Sequence, residues 1–399
     1  MAEAPSVVPR EAWITGIGIA SSLGEGLDQH WDALNARTSN ADVSTFAPYV
    51  VHPMAKVSYD AQIPKKGDQR QMEAWQRIGT YAAGLALDSA GVKGNTDVLS
   101  RMDMIVAAGG GERDLAVDSA IINDHIKGNA PPSLLNERLM NDLRPTLFLA
   151  QLSNLLAGNI SIVHGVTGSS RTFMGEEAAG VDATRIALAR IAAGQSDIAL
   201  VGAAQNGERQ DILMLYEFGG FALKETFAPV WARGDGGGFA LGSGGVFLVI
   251  ESREHAQARG AKPFAKLSRV VADHARRKTA GEVTTTLNAL WSQLGQVSND
   301  APIITGATGA GSATSEERAF LASRAQHPVR ATGTGFGHLV EGQFPLGIAL
   351  AALSISRGKL FAPHDTAGVE VETTAAPSQI VVIGTGHWRG EGMALVEKA

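Results

Sequence analysis

The chain has 399 residues and no cysteine. Disulfides, thiolate metal ligands and thiol nucleophiles are therefore excluded at once. An excess of basic charge is also missing. Lys and Arg number 34 against 40 Asp and Glu, a net charge of −6, so no nucleic-acid partner is expected. Long apolar runs are missing too. The greasiest stretch, Thr146 to Val163, is interrupted by Gln151, Asn154 and Asn159. It is too short and too polar to span a bilayer, and reads as a buried helix followed by a strand. Met1 to Pro9 carries neither the basic nor the apolar segment of a secretory leader, so a cytoplasmic location is the expectation.

What is present is a compact α/β pattern. Short apolar strands are predicted over Trp13 to Ala20, Met104 to Ala108, Asp197 to Gly202, Gly245 to Glu251 and Gln379 to Gly384. They alternate with helical periodicity over Gln76 to Ala90, Phe148 to Leu156 and Ala178 to Ala193. Two small-residue helices resemble each other: Ile186 to Gly194 and Ile348 to Gly358, both ending at glycine. A repeat at that distance points to duplicated halves, with the charged segment Glu251 to Lys262 joining them.

Glycine-rich segments invite cofactor readings that their context excludes. Gly384-Thr-Gly-His-Trp-Arg-Gly390 follows a strand, but the nine residues after it cannot supply the helix and strand of a dinucleotide fold. Gly333 to Gly337 has no acidic ribose partner at useful spacing. Gly234 to Gly245 contains no Gly-Lys-Ser or Gly-Lys-Thr. The ten histidines show no His-x-x-x-His or His-Glu-x-x-His spacing. No cofactor and no metal are expected.

Several segments, in order and at family spacing, resemble the β-ketoacyl-carrier-protein synthases of the thiolase superfamily. Trp13-Ile-Thr-Gly-Ile-Gly-Ile-Ala-Ser-Ser-Leu-Gly24 is similar to the opening VxITGxGxxSPLG strand. Ala193 to Ala204 resembles AGxADxxLAGG, and Gly234 to Gly245 resembles RDGFVxGEGAG. The resemblance implies an αβαβα sandwich of five layers built from two duplicated βαβαβαββ halves, residues 1–255 with cap insertions and residues 256–399. It implies a dimer and an acyl carrier protein bearing acyl or malonyl groups as partner.

It also implies where the catalytic residues belong. The family's GPxxxxxTAC aligns without a gap on Gly168 to Glu177, so Glu177 holds the position of the nucleophilic cysteine, with Glu176 before it. HGTxTxxxDxxE falls on Gly306 to Glu317, so Gly306 replaces the first catalytic histidine and Thr314 the aspartate. His338, in Gly333-Thr-Gly-Phe-Gly-His-Leu339, stands at the second histidine. The family's Lys–Glu ion pair becomes Gly333 and Gly347, a double loss that strands no charge. Trp388 aligns with the gating phenylalanine of the closing loop. His387, Arg389 and Phe336 join it as expected lining of the acyl pocket.

The resemblance thus predicts synthase ancestry without the condensing machinery, and enzymatic activity stays open. Acylated Glu177 would be a labile anhydride. One expectation is a non-condensing partner subunit, like the chain-length factors, paired with an active synthase. A second is a malonyl-carrier decarboxylase or acyltransferase using Glu177 and His338. A third is a carrier-binding homodimer. Bland readings stand beside these: Glu177 as a helix N-terminal carboxylate, His338 as a packed remnant, Trp388 as a pocket filler, Arg389 as a surface charge, and Arg171 as a partner for Glu176 or Glu177.

Overall fold

In a computed structural model, residues 9–399 are described except 129, 235 and 366. Residues 1–8 of the stretch read for a leader, and Asp235 of the glycine-rich segment, lie outside the described residues. Ten strands form the main path of one sheet. They are β1 (Ala12–Ser21), β2 (Asp103–Ala107), β3 (Ser170–Phe173), β4 (Ile198–Gln205), β5 (Gly244–Ser252), β6 (Ala265–Asp273), β7 (Ile303–Thr305), β8 (Val329–Ala331), β9 (Gln379–Thr385) and β10 (Glu391–Glu397). The spatial order is β8-β7-β9-β10-β6-β1-β5-β4-β2-β3.

That order is the same pattern written twice. In each set of five, the second strand pairs in parallel with the third and fourth, the fourth pairs antiparallel with the fifth, and the fifth pairs antiparallel with the first. The sets meet where β1 and β6 pair, with Trp13 opposite Lys266 and Ile14 opposite Ala265. Chain position 255/256 falls in the connection between β5 and β6.

Alternation along the strands assigns the layers. Ile105, Ala107, Val201, Leu248 and Ile250 of the first set, with Ile304, Val382 and Ala394 of the second, share one central core. The helices α2 (Glu177–Ala192) and α5 (Gln343–Arg357) lie in that core. The alternate residues face outward. Val106, Leu200 and Val249 pack under α1 (Ala74–Ser89), while Ile303, Val381 and Ile383 pack under α3 (Glu282–Ser292) and α4 (Gly311–Ala322). Helix, sheet, helix, sheet, helix is the thiolase-like sandwich. α2 and α5, the similar pair seen in the sequence, are the two inner helices. Every residue of α5 from Gln343 to Ile355 is buried, so its surface is apolar nearly all round.

The stretch Thr146 to Val163 corrects its prediction. It is helical over Leu147–Ala150 and again over Leu155–His164, with no strand. The second helix buries Leu156, Ala157, Ile160 and His164, a helical spacing that leaves Ile162 71% exposed. Among the described residues, no helix is long and apolar enough to cross a membrane.

Candidate active site

Three segments far apart in sequence bring their side chains together. Glu177 is the first residue of α2 and is 4% exposed. The turn before it is tight: Glu176 adopts φ 56° and ψ −137°, a conformation that L-residues pay strain to hold. His338 follows Gly337, whose φ of 70° turns the chain inward. Its backbone is pinned on both sides, donating to Ala240 O at 2.7 Å and accepting from Gly242 N at 3.0 Å. His387 sits in the turn after β9. That turn is closed by Gly386 N–H to Gly390 O at 2.7 Å and tied down by Arg277, which donates to Gly386 O and to Glu391.

One oxygen of Glu177 takes all the donors. Oε1 accepts from His338 Nε2 at 2.7 Å, from His387 Nδ1 at 2.8 Å and from the His387 backbone N–H at 3.2 Å. A carboxylate only accepts, so these ring nitrogens carry the hydrogens. Burial pushes the Glu177 carboxyl up, but the bonds and charges of the two histidines outweigh it and hold it well below the usual carboxylate range. Burial pulls His387 down, and the Glu177 hydrogen bond and charge bring it out above its ordinary value. Behind the cluster, Glu341 is buried with no ion pair to a cation among the described residues. Burial, reinforced by the Glu177 and Glu176 charges, pushes it up to about 7. Aromatic rings seal the cluster: Phe239 lies 4.6 Å from the His338 ring, and Phe221 lies 4.6 Å from His387.

The expected positions separate into three groups. Glu177, His338 and His387 meet. Trp388 and Arg389 turn outward from His387. The Trp388 indole is 47% exposed and donates to Glu176 Oε2 at 2.5 Å, with the Arg389 guanidinium 4.2 Å from its ring centre. Both line a groove of about 620 Å³ bordered by Met174, Ala178, His274 and Arg276. Phe336 is fully buried and stacks on His30 at 5.6 Å in the central core. Arg171 bonds Ser169 instead of either glutamate.

The lost positions are filled. A Cβ on Gly306 would stand 2.8 Å from Gln343 Cγ, so Gln343 lies where a longer side chain would start. Gln343 is held there, accepting from Leu339 N at 2.8 Å and donating to Thr332 Oγ1 at 2.5 Å. At Gly347 a Cβ would meet Val382 Cγ1 at 2.6 Å; at Gly333 it would meet Ala307 O and Val230 Cγ2, each at 3.0 Å. At both glycines, backbone and sheet leave no room for a longer side chain without a shift. Glu317 accepts from the Thr305 hydroxyl, and burial pushes its carboxyl up to about 7.

Comparison with known proteins shows what the whole chain is similar to. Residues 10–256 match the family described as "Beta-ketoacyl synthase, N-terminal domain". The chain is 26% identical over 271 residues to the 3-oxoacyl-[acyl-carrier-protein] synthase 2 of Vibrio cholerae, covering 65% of this chain and 62% of that protein. It is 27% identical over 365 residues to the tetracenomycin polyketide synthase ketoacyl synthase beta subunit of Streptomyces glaucescens, covering 87% and 86%. The solved ishigamide ketosynthase/chain length factor superposes with a TM-score of 0.79 at 19% identity, covering 98% of this chain and 100% of that one. With residues 10–256, more than half of its length, matching that family, the chain belongs to the β-ketoacyl synthase family.

Proposed function

We propose that this chain is a non-condensing, synthase-like subunit in fatty-acid or polyketide-type chain assembly. It works in the cytoplasm, binds acyl groups presented on a carrier protein, and pairs with a cysteine-bearing synthase whose acyl tunnel it helps to shape. The observation that carries this reading is the Glu177 carboxylate at the start of α2, locked by two imidazoles where the family needs a free nucleophile. A carboxylate held ionised by two donors is a poor nucleophile, and its acyl product would be an anhydride. The likeness to a polyketide synthase beta subunit over 87% of the chain supports the same reading.

His387 gives the decarboxylase alternative its one support, because it puts a second histidine in the site. Both imidazoles, however, aim their N–H groups at Glu177 and not at open space where a malonyl carbonyl would bind. Mass spectrometry of malonyl-carrier protein incubated with the purified chain separates the readings. An unchanged malonyl group, with no acyl adduct on the chain, is expected. Conversion to acetyl-carrier protein that is lost in His338→Ala would overturn the proposal. Co-purification with a cysteine-bearing synthase tests the pairing.

A further inference from the structure

We infer that Glu177, His338 and His387 form a binding site for one divalent first-row cation of the zinc class. The donor set is two imidazoles and one carboxylate, which suits a borderline cation. Candidate ligand atoms on the three residues all lie within 4.8 Å of one another, and all three residues are buried. Tetrahedral bonds near 2.0–2.1 Å place ligand atoms about 3.3 Å apart. The present 2.7 and 2.8 Å separations from Glu177 Oε1 would open by about half an ångström, and the remaining separation, within 4.8 Å, would settle at the same value.

A second observation points the same way. Glu177 Oε1 receives three donors, while its other oxygen, Oε2, is buried with no hydrogen-bond partner among the described residues. Buried polar atoms left this way are costly. No Lys or Arg pairs with Glu177 among the described residues; its ionic contacts are the two imidazoles.

The surroundings also provide for a ligating imidazole. A metal-bound histidine usually directs its far nitrogen to a carboxylate. His387 Nε2 faces Glu176 Oε1 at 3.8 Å, and Trp388 holds the other Glu176 oxygen. On binding, each ring gives its lone pair at the nitrogen now bonded to Glu177. The hydrogen there moves to the far nitrogen of the ring or leaves to solvent. The ion would clamp α2, the segment before α5 and the turn after β9 at one point. Spacing rules miss such a site because its ligands come from three separate segments.

The test uses untagged full-length protein, stripped with chelator and titrated with ZnSO4 and, separately, CoCl2. One ion per chain is expected by calorimetry and by elemental analysis after gel filtration. Bound Co2+ should show the intense visible bands of a four- or five-coordinate site. Glu177→Gln and His387→Gln should each weaken binding at least tenfold, with gel filtration and near-UV dichroism confirming their fold. His125→Ala, at an exposed histidine elsewhere, should leave it unchanged. Absence of stoichiometric binding, weak six-coordinate Co2+ bands in the wild type, or binding that survives both site variants would overturn the assignment. The malonyl assay above is read without added metal, so either proposal can fail alone.

Discussion

His387 holds Glu177 twice, through its ring Nδ1 at 2.8 Å and its own backbone N–H at 3.2 Å, both on the same carboxylate oxygen. Side chain and main chain of one loop residue thus fix the first residue of an inner helix across 210 positions of sequence. The charge on Glu177, not only its shape, sets the state of that histidine.

Glu177→Gln keeps the acceptor and removes the charge, which should cost about 2 kcal/mol. The cost depends on pH. Glu177 has its folded pKa below the unfolded 4.5, so its contribution is present above that pH and lost in acid. His387 has its folded pKa above the unfolded 6.5, so its contribution is complete below that value and lost as pH rises through the folded one. Denaturant titrations should find the gap between wild type and variant widest between pH 4.5 and 6.5. A gap independent of pH would contradict the ion pair.

Glu317 gives the opposite slope. Its folded pKa, about 7, lies above the unfolded 4.5. The protonated carboxyl therefore contributes stability that is complete below pH 4.5 and lost as pH rises through about 7. This one group should cost the wild type up to roughly 3 kcal/mol across that window. Glu317→Gln should flatten the profile there, measured as unfolding free energy at pH 4.5 and pH 8. Parallel profiles would show that Glu317 is ionised in the folded chain.

Gly347→Ala should destabilise by about 1–2 kcal/mol, although alanine is the better helix former, because its Cβ lands 2.6 Å from Val382 Cγ1. Val382→Ala in the same chain should recover part of that loss. The signature is a thermal midpoint in the double variant higher than the two single changes predict by addition.

Much of the fold was legible because its signals are local. The strand runs at Trp13 to Ala20, Gln379 to Gly384 and Gly245 to Glu251 were placed to within a residue or two. The inner helix was read from Ala178, one residue inside its true start at Glu177. The helix at Leu155–His164 was half lost because Ile160, Ile162 and Val163 carry strand propensity, which the buried spacing of Leu156, Ile160 and His164 overrides. At the site, the ungapped segment into α2 located Glu177, and the glycine-histidine segment located His338. The sequence marks His387 only as a neighbour of Trp388. Which of two adjacent loop residues points inward depends on the Gly386–Gly390 turn, and no periodicity encodes that. Gln343 in the space beside Gly306 was equally invisible, because it is a contact between residues 37 positions apart on different elements.

The closeness of Gly347 to Val382 also limits which charges these positions accept. A carboxylate regained at 347 would meet the strand at once, before any lysine at 333 could reward it. A lysine regained first would press on Ala307 and Val230 with no counter-charge waiting. Neither single substitution is favourable alone, so packing bars an opposite-charge pair at 333 and 347 from being introduced one residue at a time.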